Sequence, residues 1–248
     1  MVKALQIELL KSKRTKSFAI AIAILGFGFL WTILVSKEKL TEVAFYFCNQ
    51  DIYTFVLPLA ISIFASRIVS NEKEGRTFKL QASNGRGVSG IFHDKLYFST
   101  LFFMGLAVIF TGLLGIYISL FKWQTVSLQL LLLQVLRLSL SSFVQICLYI
   151  SIAMYYEKQG LVLSMGFIGS FVGMIFQART DQWWAFLLPW EGTGFFAPYK
   201  FSYNSVTSTA VYTLDNQLLL KIGIYILYAT LVYALARGAI QGRKGMMI

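Results

Sequence analysis

Long apolar runs alternate with short polar interruptions along the chain, and the lengths of the runs decide what they are. A helix rises 1.5 Å per residue, so about 20 apolar residues cross a hydrocarbon core of about 30 Å. Six runs meet or approach that length: residues 17–35, 52–69, 96–120, 128–155, 161–176 and 218–236. Pro58 falls inside the second, where its ring and missing N–H predict a kink. The fourth is long enough to tilt or protrude. Ahead of the first, residues 1–16 set Val2, Leu5 and Leu9 on one helical stripe, with Lys3, Lys11, Lys13, Arg14 and Lys16 elsewhere. That pattern predicts an amphipathic helix lying in the membrane interface. The apolar run that follows is too long for a signal peptide's core and lacks a small-residue cleavage site, so it reads as a retained anchor.

The longest charged interruption lies between the second and third runs, over residues 66–95. Arg67, Lys73, Arg76, Lys79, Arg86 and Lys95 carry six positive charges there, against Glu72, Glu74 and Asp94. Hydrocarbon excludes such a segment. Residues 74–82 hold strong helix formers and end at Ser83, Asn84 and Gly85, which predicts a short exposed helix. Two readings fit it, a solvated connector and a docking element for a soluble partner. A second polar stretch, residues 177–217, is too long for a bare loop and too apolar for a solvated one. Its aromatic residues around Pro189 and Pro198 fit a re-entrant pair of half-crossing helices broken at residues 189–194, and they also fit an interfacial aromatic mat.

Composition agrees with the runs. Of the 248 residues 57% are hydrophobic and 13% charged, and the mean hydropathy is +0.66, which no single water-soluble core accommodates. The net charge of +11 falls in clusters beside apolar runs, a distribution that suits lipid headgroups and topology and not nucleic acid. With the N-terminus inside, fifteen Lys and Arg residues fall on the inner side and six on the outer, with Arg137 within the fourth run. The same orientation places Trp31, Trp123, Trp183, Trp184 and Trp190 on the outer side, as an interfacial belt requires. The expectation is a single-domain, all-α, multi-pass membrane protein with six spans and both termini cytoplasmic. Cys48 and Cys147 do not form a disulfide framework.

Several chemistries lack their residues. There is one histidine, His93, and no Asp or Glu inside the six runs, which removes the usual carriers of proton or sodium coupling. No phosphate-binding loop of the G-x-x-x-x-G-K-[ST] kind occurs, so the chain shows no energy source and is not expected to be an enzyme. The deep ionisable group is Arg137, whose insertion near mid-span costs roughly 2.5 to 3.5 kcal/mol. Gln134, Arg137, Ser141 and Gln145 recur at helical spacing, so the fourth run carries a polar stripe. It reads as a translocation surface, or Arg137 snorkels to the outer headgroups. Gly166, Gly169 and Gly173 in the fifth run permit close helix contact, more often within one chain.

The basic N-terminal helix, the six runs, the charged loop reading E-x-E-G-x-T-x-x-L and the broken outer segment together resemble type-2 ABC exporter permeases. Glu72, Glu74, Gly75, Thr77, Leu80, Ser83, Arg86 and Lys95 carry the match, where that family's coupling helix lies. The opening ALQIELLKSKRTKSF and the PWEGTGFFAPY stretch are similar to lantibiotic-immunity permeases. The resemblance implies a bacterial cell-membrane protein, a separate ABC ATPase carrying ATP and Mg, a second permease chain in a homodimer or paralogous heterodimer, and an amphipathic peptide cargo. It further implies that Glu72, Glu74, Arg76, Phe78, Lys79 and Leu80 transmit the motor's stroke, with Glu157 and Lys158 as a smaller second contact. A non-transporting sensor or scaffold that docks a cytoplasmic partner remains the other reading.

Overall fold

A computed structural model describes residues 16–36, 43–48, 51–74, 87–156, 158–176, 182–204 and 209–242. Eight α-helices are found among them: α1 (Ser17–Ser36), α2 (Val43–Cys48), α3 (Asp51–Glu74), α4 (Val88–Phe121), α5 (Leu128–Tyr155), α6 (Gln159–Phe176), α7 (Gly192–Phe195) and α8 (Leu218–Gly242). A 3-10 helix (Trp183–Leu187) precedes α7, and an antiparallel pair, β1 (Tyr199–Asn204) and β2 (Thr209–Leu214), lies between α7 and α8. Six stretches are long and apolar enough to cross a membrane: Ser17–Ser36, Val43–Asn71, Val88–Phe121, Leu128–Tyr155, Gln159–Phe176 and Leu218–Gly242.

α3 is the central helix, packed on α6, α1 and α5. Val56, Leu57, Ala60, Ile61, Phe64, Ala65, Ile68 and Val69 are all buried, and only the stripe of Ile52, Phe55, Leu59 and Ile63 stays partly open. α1, α6 and α8 keep one face open, lined by Phe27, Leu30 and Leu34, by Phe167, Ile168 and Ile175, and by Leu227, Leu231 and Leu235. Apolar residues on such faces suit contact with lipid. Helices in hydrocarbon gain little from hiding apolar surface from one another, so close fit must hold them together. Two fits do this. Phe64 stacks on Phe102 at 4.8 Å and lies near-parallel to Phe98 at 6.4 Å, with Phe18 and Phe103 edge-on or tilted around them. Along α3 and α6, glycines remove the side chains that would hold the backbones apart. A Cβ on Gly166 would stand 1.9 Å from Ser62 Oγ and 3.2 Å from the Pro58 carbonyl oxygen. Pro58 supplies no N–H to the Thr54 carbonyl one turn before it, and a Cβ on Gly173 would lie 3.1 Å from that carbonyl. The glycines thus serve contact within the chain.

The helix boundaries differ from those read in the apolar pattern, mainly beside the charged loop. α3 runs on to Glu74 and α4 begins at Val88, so both flanks of residues 66–95 are helical. Lys95 is 0% exposed and donates from Nζ to the Ile68 carbonyl at 3.2 Å, tying α4 to α3. His93, one turn inside α4, donates from Nδ1 to Ser89 O at 2.5 Å, which leaves Nε2 to accept from the Tyr233 hydroxyl on α8 at 2.7 Å. At the opposite end of the bundle, Lys122 Nζ reaches the last carbonyl of α1, Ser36 O, at 2.7 Å, where a cation meets the negative end of the helix dipole. The amphipathic helix expected over residues 1–16 lies outside the described residues apart from Lys16.

The second polar stretch departs from the expected pair of half-crossing helices. Its described residues contain a five-residue 3-10 helix and the four-residue α7, and then a β-hairpin, the one strand pair among the described residues. One face of the hairpin carries Tyr199, Phe201, Tyr212 and Leu214, and Tyr212 meets Phe45 of α2 edge-on at 6.4 Å. Trp31, Trp123, Trp183 and Trp184 are exposed, as membrane-interface residues would be. Trp190 instead turns inward.

Candidate functional site

Hydroxyl, amide and charged side chains gather where the 188–196 segment enters the bundle between α3, α5, α6 and α8. The four residues of the α5 stripe all face inward: Gln134, Arg137, Ser141 and Gln145 are each 0–1% exposed. Helical spacing explains the common face. Arg137 does not extend to a headgroup; its guanidinium donates to the Phe47 carbonyl near the end of α2 at 2.7 Å. Gln145 Nε2 donates to the Pro189 carbonyl at 3.3 Å, so α5 holds the incoming segment directly.

The segment reaches well inside. Trp190 Nε1 donates to the Tyr149 hydroxyl at 2.8 Å, and a Cβ on Gly169 would lie 2.1 Å from that same Nε1. Gly169 stands seven residues from the end of α6, a depth of about 10 Å along the helix. Glu191 is 0% exposed, with Oε1 3.7 Å from where a Cβ on Gly173 would stand. Thr193 and Thr54 share a hydrogen bond at 3.1 Å. Gly192 has no room for a side chain, since a Cβ there would be 2.2 Å from the Tyr225 hydroxyl and 2.9 Å from Ser141 Oγ. One short segment therefore presents a carboxyl-bearing side chain, an indole N–H, a hydroxyl and a carbonyl to groups on α3, α5 and α6.

Beside it, an ion cluster fastens the hairpin to α8. Asp215, just after β2, takes Lys221 of α8 at 2.8 Å and Lys200 of β1 at 3.2 Å, and accepts the Gln217 backbone N–H at 3.0 Å. The Asp215 and Lys221 side chains are both 2% exposed. Burial alone would raise the Asp215 carboxyl, but the Lys221 hydrogen bond, the Gln217 N–H, the Lys221 charge and the Lys200 hydrogen bond together hold it below the usual carboxylate range. Lys221 Nζ also sits 5.2 Å over the Phe195 ring.

Of the expected coupling residues, Arg76, Phe78, Lys79, Leu80 and Glu157 lie outside the described residues. Glu72 and Glu74 fall in the last turn of α3. Lys158 is exposed and lines a small notch with Ser66, Val69 and Ser70 of α3, Ala153 of α5, Tyr156, and Gln159 and Val162 of α6. The structure so brings Lys158 to the α3 end that carries Glu72 and Glu74, and leaves the α5 stripe far up the bundle. Reading the apolar runs misses Glu191, Thr193, Thr54, Tyr225 and the Asp215–Lys221 pair. An acid flanked by Pro189, Trp190, Gly192 and Gly194 was the available signal, because turn residues let a polar side chain enter where a span could not.

Residues 4–177 match a family model described as ABC-2 family transporter protein. No curated protein and no solved structure matches the chain significantly.

Proposed function

The chain belongs to the ABC-2 transporter family, and on that premise we propose that it is the permease subunit of an ATP-driven exporter that expels amphipathic, lantibiotic-like peptides from the membrane. Permeases of this family are multi-pass membrane components that work in pairs with a separate ABC ATPase. The observation that carries the reading is the match across residues 4–177, which takes in the charged loop and five of the six spanning helices. Both termini and residues 75–86 lie on the cytoplasmic side, as the excess of lysine and arginine there supports. ATP and Mg sit on the ATPase, and this chain is the part that moves. Glu72, Glu74, Arg76, Phe78, Lys79 and Leu80 form the coupling element, with Glu157 and Lys158 as the second contact. The notch joining Lys158 to α3 supports that pairing, since one partner surface can press on both. The cationic amphipathic cargo follows from the resemblance of residues 4–18 and 189–199 to lantibiotic-immunity permeases.

The test is a pair of substitutions. A helix over residues 74–82 would offer Phe78 as an aromatic anchor, and truncating such an anchor commonly costs 2 kcal/mol or more, whereas rim charges matter little. Phe78→Ala is expected to detach or uncouple the ATPase with membrane insertion intact, while Lys73→Ala is nearly silent. Full ATPase binding and coupled hydrolysis in Phe78→Ala would instead leave residues 74–82 a solvated connector.

A further inference from the structure

We propose that α1, α3 and α6 form a binding groove for one anionic phospholipid, with an acyl chain laid along α3 and the phosphate met by Lys16, Arg67 and Lys158. This goes beyond the exporter reading and needs only that the six long helices span the membrane, so the two are judged apart.

The groove follows from how α3 is packed. Its partly open residues Ile52, Phe55, Leu59 and Ile63 succeed one another at spacings of three and four, and the same stripe ends at Arg67, which is exposed. α1 lines one side of it. A Cβ on Gly28 would lie 3.0 Å from Val56 Cγ2, and Phe18 meets Phe64 at 5.6 Å. α6 lines the other side, with Gly166 against Ser62 and Phe171 edge-on to Phe55 at 5.6 Å. An apolar trough with a helical floor and two helical walls is left between them. From Phe55 to Arg67 it rises about 18 Å, which is one leaflet's half of a core of about 30 Å together with the start of the headgroup layer.

The head of the groove has the opposite character. Beyond Ile63 the floor turns polar at Ser66 and Ser70, which line a small notch with Lys158 and Gln159 at the start of α6. α1 runs antiparallel to α3, since Gly28 lies by Val56 and Phe18 by Phe64, so Lys16 stands about level with residue 66. Lys16, Arg67 and Lys158 therefore reach this end within about one helical turn of one another. All three are exposed, and none makes an ion pair among the described residues. Apolar floor below and three cations above is the pattern of a phospholipid, and basic pockets between spanning helices favour anionic headgroups. The same charges argue against two other occupants. A cationic cargo would be repelled, and a second copy paired through this face about a two-fold axis would set the three cations against their equals. Lys158 stands at the membrane edge, where it can meet a headgroup from the bilayer and a soluble partner from the water.

The experiment uses the purified full-length chain in mild detergent, titrated with phosphatidylglycerol or phosphatidylcholine and weighed intact by native mass spectrometry. The parent is expected to retain one phosphatidylglycerol at concentrations where phosphatidylcholine leaves it bare. Arg67→Gln should weaken that retention about fivefold, and Lys16→Gln, Arg67→Gln and Lys158→Gln together by more than about tenfold. Arg237→Gln removes an exposed cation from α8, which does not line the groove, and should leave retention unchanged. Glycerol 3-phosphate, which has the headgroup chemistry without an acyl chain, should not displace the lipid. Equal retention of the two lipids, or the same loss from Arg237→Gln as from Arg67→Gln, would reduce the three cations to diffuse attraction and overturn the proposal. Displacement by glycerol 3-phosphate would leave the stripe without a role and overturn it too. A disulfide between chains through Leu59→Cys, in a background of Cys48→Ala and Cys147→Ala and with no lipid retained, would give the groove to a second copy instead.

Discussion

Replacing Lys221 by methionine removes one side of a carboxylate–ammonium pair whose side chains are each 2% exposed and 2.8 Å apart. Removing one partner of a buried pair costs about 3–5 kcal/mol, because a charge is left without its counter-ion. Here Asp215 keeps the Gln217 N–H at 3.0 Å and Lys200 at 3.2 Å, the latter 40% exposed and therefore a weak, screened substitute. The expected loss for Lys221→Met is about 2–3 kcal/mol, the lower part of that range and below. Asp215→Asn strands Lys221 instead and should cost about 3–5 kcal/mol. The double variant strands neither and should lie closer to the parent than either single one, with a coupling energy of about 2 kcal/mol or more. In detergent-solubilised protein followed by tryptophan fluorescence, about 2–4 °C per kcal/mol gives a fall of roughly 4–12 °C in Tm for Lys221→Met. The pH dependence has a definite sign. The folded-state Asp215 carboxyl lies below its unfolded value of 3.8, so its contribution is complete above that pH and is lost as pH falls through the folded value. The gap between the parent and Asp215→Asn should stay constant at neutral pH and narrow in strong acid below about pH 4. Additive losses in the double variant, or a gap that widens in acid, would refute the reasoning.

Three further outcomes are expected. Gly166→Ala places a Cβ 2.3 Å from Ser62 Cβ and should force α3 and α6 apart, lowering thermal stability by about 1–3 kcal/mol, while Ser62→Gly added to it restores most of the loss. His93→Phe and Tyr233→Phe each break one side-chain hydrogen bond between α4 and α8, at about 1 kcal/mol; the double variant should be no worse than the worse single one, and a fully additive cycle would contradict the contact. Arg137→Leu frees the Phe47 carbonyl and should increase protease access or amide exchange around residues 43–48 with overall insertion unchanged, where an unaltered pattern would remove Arg137 as the holder of α2.

The spans were the most legible part of the chain, since an apolar run of set length is the direct signature of a hydrocarbon solvent. The fourth run and α5 coincide at residues 128–155, and the others differ at polar ends. Those ends misled for one reason. Lys95, His93 and Glu72 are polar, so they read as loop, yet the helix continues through them because Lys95 and His93 find partners on α3 and α8. The hairpin carried a readable signal in the alternation of YKFSYN and TAVYTL, which was masked by the aromatic density around it. The inward face of the α5 stripe was legible from spacing alone, but its partners were not. Thr54, Gln145 and Tyr225 lie far apart in sequence and come together only around residues 189–193, through tertiary packing that no local pattern encodes. Arg137 shows the same limit, because the carbonyl that receives it belongs to a helix 90 residues earlier.

The most direct test of the permease assignment is copurification of the full-length chain, in mild detergent, from cells that express it with their own complement of ATPases. The assignment predicts a stoichiometric nucleotide-binding subunit, ATP hydrolysis that needs both chains, and loss of both from Phe78→Ala but not from Lys73→Ala. A chain that purifies without any nucleotide-binding partner, or with one whose hydrolysis is the same in its absence, would contradict it.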